Sequence, residues 1–187
     1  MEPEPPEPLA SRGGPGARKD GAPPQHPTLP RRRRNALRHR FNVGILQAHA
    51  AVSLALAAVL WLVQLVVYPA FAWIDPVRFV AWHQGYTGAV TWVVAPLILL
   101  QTAGVVARFW LTERAEPLWF LELACTLTAW AVTVGVSVPI HGRLQGDLPP
   151  EVRLAAMHQL VHTNWVRTAA WTVCAACSWV AAARTAP

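Results

Sequence analysis

Residues 43–68 read VGILQAHAAVSLALAAVLWLVQLVVY, 26 consecutive positions without an Asp, Glu, Lys or Arg. At a rise of about 1.5 Å per residue this stretch, coiled as a helix, spans a hydrocarbon layer of roughly 30 Å. A helix is the required form, because lipid offers no partner to the backbone groups of an open strand. Pro69 follows directly and is expected to stop the helix. Three further apolar stretches lie downstream, at about 87–110, 118–140 and 164–183, each long enough to cross. The expected fold is therefore all-α: an integral membrane four-helix bundle, up-down-up-down, occupying residues 43–187. Many Ala, Gly, Ser and Thr side chains on these segments allow close helix approach.

The remaining segment, residues 1–42, reads as a disordered Pro- and Arg-rich cytoplasmic tail, since its first 30 residues show no hydrophobic period. It is no secretory signal, because the first apolar stretch begins beyond residue 40 and is too long. Nine of the sixteen Lys and Arg lie before residue 41, with Arg31, Arg32, Arg33 and Arg34 in one run. The rest of the chain is too poor in charge to solvate a soluble domain of this size. A basic run placed just before a hydrophobic segment is a topology determinant that also attracts anionic head groups, and not a nucleic-acid footprint. It places the protein in the cell membrane as a multi-pass chain with both termini cytoplasmic. The expected inner loop carries Arg108 and Arg114, while the two outer loops carry only Arg78, Arg143 and Arg153.

Tryptophans agree with that orientation. Trp73, Trp82 and Trp165 fall at the outer boundary, and Trp110, Trp119 and Trp179 at the inner one. Trp61, Trp92, Trp130 and Trp171 fall in the outer halves of their helices, where they either pack or line an aromatic cavity. Pro96 and Pro139 are expected to bend helices two and three. Pro149-Pro150-Glu151 is a helix start, and the amphipathic segment after it either lies at the interface or extends the fourth span. Cys125, Cys174 and Cys177 sit among apolar neighbours and read as small packing residues.

Polar side chains collect at the outer end. Gln64 and Tyr68 close the first span, His83 and Tyr86 precede the second, His141 ends the third, and His158, His162, Asn164 and Arg167 lead into the fourth. His158 and His162 are four apart and share a helix face. With His83 and His141 they form a candidate metal set, and imidazole-rich sites suit copper, iron, zinc or haem. The alternative is interfacial hydrogen bonding to water, head groups and carbonyls. Tyr68, Asn164 and Arg167 are the candidate substrate-orienting residues. Each also has a structural role available: Tyr68-Pro69 ends a helix, Asn164 caps a broken fourth helix, and Arg167 pairs with Asp75 or Asp147. Glu122, one turn into the third span, is an intramembrane acid whose expected partners are Arg114 or His49. Gln101 is expected to bond between helices.

Three motifs occur together: Gln64-x3-Tyr68-Pro69-x-Phe71, Val138-Pro139-Ile140-His141-x2-Leu144, and Asn164-Trp165-x-Arg167-Thr168-x2-Trp171-Thr172. They resemble a group of small bacterial four-helix membrane proteins and, more distantly, the anthrone oxygenase-like families. That resemblance covers roughly residues 43–183 and implies oxidation of a lipophilic molecule near the membrane surface.

Three functions are consistent with these readings. The first is a metal- or haem-assisted oxidoreductase acting on a lipophilic small molecule at the outer face. The second is a non-catalytic accessory or assembly subunit bound to a membrane partner protein. The third is a small transporter acting as a homo-oligomer.

Orientation is open to direct measurement. In a chain with its native cysteines replaced, single cysteines at Asp75 and Asp147 should label in intact cells with a membrane-impermeant maleimide. A cysteine at Arg114 should label only after permeabilisation; the reverse pattern inverts the topology.

Overall fold

A computed structural model describes residues 31–111 and 116–185 of the chain. Among these residues there are four helices long and apolar enough to cross a membrane: α1 (Arg31–Trp73), α2 (Phe79–Leu111), α3 (Pro117–Leu144) and α4 (Pro150–Thr185). No strand occurs among them. Arg114 and the rest of 112–115 lie outside the described residues, as does the tail up to residue 30.

The helices are longer than the apolar runs that announce them. α1 begins at Arg31, twelve residues before the expected span. Arg, Ala and Leu are good helix formers, and extending an existing helix avoids the cost of nucleating a new one. Pro69 does not stop α1, which continues through Ala70 and a last 3₁₀ turn to Trp73. The chain reverses at Asp75-Pro76, where the Val77 amide donates to the Asp75 carboxylate at 2.8 Å. α2 starts at Phe79, which puts His83 and Tyr86 on its first turns. α3 runs on to Leu144 and carries His141. α4 is unbroken from Pro150, so the amphipathic segment extends the fourth helix and Asn164 lies in its interior, where it cannot cap. Pro117 and Pro150 occupy first-turn positions, where a missing N–H costs nothing.

The bundle is apolar outside and polar within. Leu62, Leu65, Leu99, Leu100, Phe120, Leu127 and Val134 are exposed on its surface, whereas His49, Gln64, Gln101, Arg108, Glu122, Asn164 and Arg167 are buried. Mid-height packing comes from Leu56, Leu60, Ile98, Ala129, Trp171 and Cys174. Leu46, Ala50 and Ala182 join the start of α1 to the end of α4.

At that same end, three helices meet on one carboxylate. Glu122 of α3 accepts from Arg108 of α2 at 2.6 Å and hydrogen-bonds His49 of α1 at 2.8 Å. His49 is one of its two expected partners; Arg108 is the one that sequence reading missed. α4 joins through the Cys174 thiol, which donates to the Glu122 carbonyl at 3.5 Å. Gly104 leaves the space in which the His49 ring sits, since a Cβ there would collide with it. Gln101 donates to Thr126 at 3.4 Å, an interhelical bond as expected.

Replacing Glu122 by Gln removes the closest counter-charge of Arg108 and should cost about 3–5 kcal/mol. Gly104→Ala overpacks the same point and should cost about 1–3 kcal/mol. Thermal unfolding in detergent reads both, and wild-type stability of either variant would show that this junction does not hold the bundle.

Candidate functional site

The opposite end of the bundle is shaped by two unusual turns. α1 contains a π-helical turn at Val63–Val67, in which the Tyr68 amide bonds back to the Val63 carbonyl. α3 contains another at Thr133–Ser137, in which the Val138 amide bonds to the Thr133 carbonyl. In both helices a proline follows two residues later, Pro69 and Pro139. A proline ring crowds the carbonyl four residues before it, and widening the preceding turn relieves that crowding. The expected disturbance at Pro139 is thus a wide turn just before it.

These turns present the polar side chains of the site. Gln64 faces α4, where the Asn164 amide donates to its carbonyl at 2.7 Å and to Thr168 at 3.3 Å. Ser137 accepts from Arg167 at 3.2 Å. Tyr68 and Arg167 are both buried, at 4% and 6% exposure. Arg167 has no carboxylate partner among the described residues, and its Nε is buried without a hydrogen bond. The acids expected to meet it are engaged elsewhere: Asp75 holds the α1–α2 turn, and Asp147 is fully exposed, 3.9 Å from Arg153.

His83 and His141 come together. His83 Nε2 lies 3.1 Å from His141 Nδ1, one ring donating and the other accepting. The His83 ring is enclosed by Phe71 and Phe79. His158 and His162 do not join them. Both are exposed on α4. They stand two residues beyond the buried Ala156 and Leu160, which is about 200° around the helix and therefore on its outer side. The expected four-imidazole set is divided into two pairs. Among the described residues no three of His, Cys, Asp and Glu gather as a metal-holding group.

A cavity of about 980 Å³ opens beside this cluster, lined from all four helices. Tyr68, His141, Asn164, Arg167 and Ser137 form a polar end. Val90, Val94, Ile98, Leu99 and Trp130 make an apolar channel leading away from it. The cavity reaches the apolar outer surface of the bundle, because its lining includes Trp92 at 86% exposure and Val138 at 59%. Of the four tryptophans placed in the outer helix halves, Trp92 and Trp130 line it. Trp171 is buried, and Trp61 bonds Thr172 on the surface. The Trp130 indole is held by Thr102 at 3.0 Å.

All three substrate-orienting candidates thus line one cavity, together with His141; its partner His83 is buried behind it, outside the lining. Sequence reading missed Ser137 and the pairing of Gln64 with Asn164. Gln64 and Ser137 are polar residues at the proline-linked turns, five residues before Pro69 and two before Pro139, and a polar residue shortly before a proline in an apolar run is the available signal. No family model, curated protein or solved structure matches the chain.

Chemically, the arrangement offers a fixed cation at Arg167 and a phenol at Tyr68. His141 adds an imidazole whose Nδ1 is tied to His83, leaving Nε2 as its free nitrogen. Asn164→Ala strips Gln64 of its buried donor and should destabilise the protein by about 1–3 kcal/mol. Asn164→Asp should also destabilise it, since the side chain no longer donates. An unchanged unfolding temperature in both would remove Asn164 as an organiser of the site.

Proposed function

We propose that this protein is a multi-pass membrane protein that binds a lipophilic small molecule in the far-end cavity and acts on it as an oxidoreductase. In this reading the four helices cross up-down-up-down, with both termini cytoplasmic and the cavity towards the outer face. One observation carries it: a large, mostly apolar chamber with a polar end, opening sideways onto an apolar surface. Such a shape admits a hydrophobic molecule from the surrounding lipid and orients its oxygen-bearing end. The reaction class draws on the resemblance to the anthrone oxygenase-like families. The residues themselves supply proton handling: His141 reaches the ligand, and His83 receives or returns the proton through the bond between the rings. A copper, iron or haem group, where bound, would supply the electron chemistry, with His141 as the imidazole that lines the cavity.

A second reading, an accessory subunit, is favoured by the start of α1, where Arg31–Arg34, Arg38 and Arg40 stand exposed on a helix. That surface fits an acidic partner. Normal activity of a chain beginning after residue 42 would remove this reading.

The cavity reading is tested by extracting detergent-purified protein with organic solvent and identifying bound molecules by mass spectrometry. Wild type should carry a lipophilic compound in stoichiometric amount. Ala95→Trp, which fills the channel, should lose it about tenfold or more while keeping its fold, consistent with the steric cost of overpacking. An extract containing only detergent and bulk lipid from both proteins would defeat the proposal.

A further inference from the structure

Among the described residues two arginines are buried, and the chain treats them differently. Arg108, at 1% exposure, has Glu122 at 2.6 Å. Arg167, at 6%, has a serine hydroxyl and an unpartnered Nε, with no carboxylate paired to it among the described residues. A guanidinium keeps its charge in proteins. A buried charge without a counter-ion is costly and, in a membrane helix, marks a functional position. The cavity that Arg167 lines contains no Asp or Glu in its walls. The fold therefore leaves a positive charge at the end of an apolar chamber and supplies space where the matching anion would stand.

We propose that the anion is the ligand's own head, and that the cavity takes a long-chain carboxylic acid in its ionised form. This deepens the lipophile-binding reading above and rests on it. Three features select this class. The lining holds one Arg and no Lys, so a single negative charge balances it, whereas a doubly charged phosphate monoester keeps a charge unmet. The planar guanidinium, with one Nη held by Ser137, keeps its other N–H groups without a carboxylate, and a fork of that shape pairs with two oxygens in one plane, the geometry of a carboxylate. The Tyr68 hydroxyl lines the same cavity, makes no hydrogen bond among the described residues, and can donate to one of those oxygens. Beyond the head, the channel follows α2 from Tyr86 to Leu99, a distance of about 20 Å at helical rise, between mainly apolar side chains interrupted by Thr87 and Thr91. That length suits an acyl tail, and the exposed Trp92 and Val138 at the rim mark where the tail slides in from the side.

The test uses the full-length protein in neutral phosphatidylcholine nanodiscs at pH 8. The probes are palmitate, the alcohol and methyl ester of the same chain, and the corresponding alkyl phosphate. Wild type should bind palmitate at least about tenfold tighter than the alcohol or ester, the difference expected of a charge-assisted hydrogen bond. Arg167→Leu should bring palmitate down to the alcohol's level without changing the alcohol, and Arg167→Lys should keep part of the preference. Equal binding of acid, alcohol and ester by wild type overturns the acid while the lipophile reading stands. Tighter binding of the alkyl phosphate overturns the single-charge assignment. Failure of every probe to bind sinks both readings together. The wild-type comparison is independent of whether a variant folds.

Discussion

Everything in this bundle hangs from the Glu122 carboxylate. It draws Arg108 from α2 and His49 from α1, and its own backbone carbonyl takes the Cys174 thiol of α4. A charge in an apolar setting must be paired, so each partner needs the others and none can turn outward at small cost. Ionic and hydrogen-bond geometry thereby fixes the depth and rotation of helices whose outer faces have no strong preference of their own. The half-buried Glu116 extends the group toward Arg184 at 3.5 Å, joining α4 to the same end.

The two ends of the bundle follow opposite logics. At the Glu122 end, cation and anion are both built in and the space between them is closed. At the Arg167 end only the cation is built in, and the chain keeps a chamber beside it. Between them lies an apolar layer of Leu56, Leu60, Ile98 and Ala129 with the Trp171 ring. Where lipid surrounds such a bundle, apolar packing brings little net gain over lipid contact, and interhelical polar bonds such as Gln64–Asn164, Gln101–Thr126 and Trp61–Thr172 would choose the partners. Each contributes about 0.6 kcal/mol on average in such settings, so several of them act together with the Glu122 junction.

How much of this could be read from residues alone follows from which forces are local. The four helices were legible because apolar length is a local property. Their ends were not: Pro69 looks like a stop, yet a wide turn ahead of it lets the helix run through. The start at Arg31 follows from helix extension, which hydropathy does not register. Tyr68, His141, Asn164 and Arg167 were found by asking at what depth each polar residue falls, and they do line one cavity. Depth carries no information on rotation. It grouped His158 and His162 with His83, although those two stand on the outer side of α4. It also offered Asp75 and Asp147 to Arg167, although a turn and the solvent hold them. The Arg108–Glu122 pair was hidden for a related reason: Arg108 was counted with the inner loop, and the rotation of the α2 end, which turns it toward Glu122, is not legible from depth.

The paired π turns carry a consequence for how the cavity can vary. Each holds one residue more than the α-helical turn it replaces, so it behaves as a one-residue insertion within an otherwise regular helix. Everything beyond it is turned by about 100° relative to an uninterrupted helix. Tyr68 and His141 lie beyond, whereas Glu122 and His49 lie before. The two halves of α1 and α3 are therefore phased separately: the first half keyed to the charge junction, the second to the chamber. Loss of a single codon within either turn would leave the junction intact while swinging the chamber's side chains out of alignment. A lineage could in this way redraw the chamber without disturbing the foundation on which it stands.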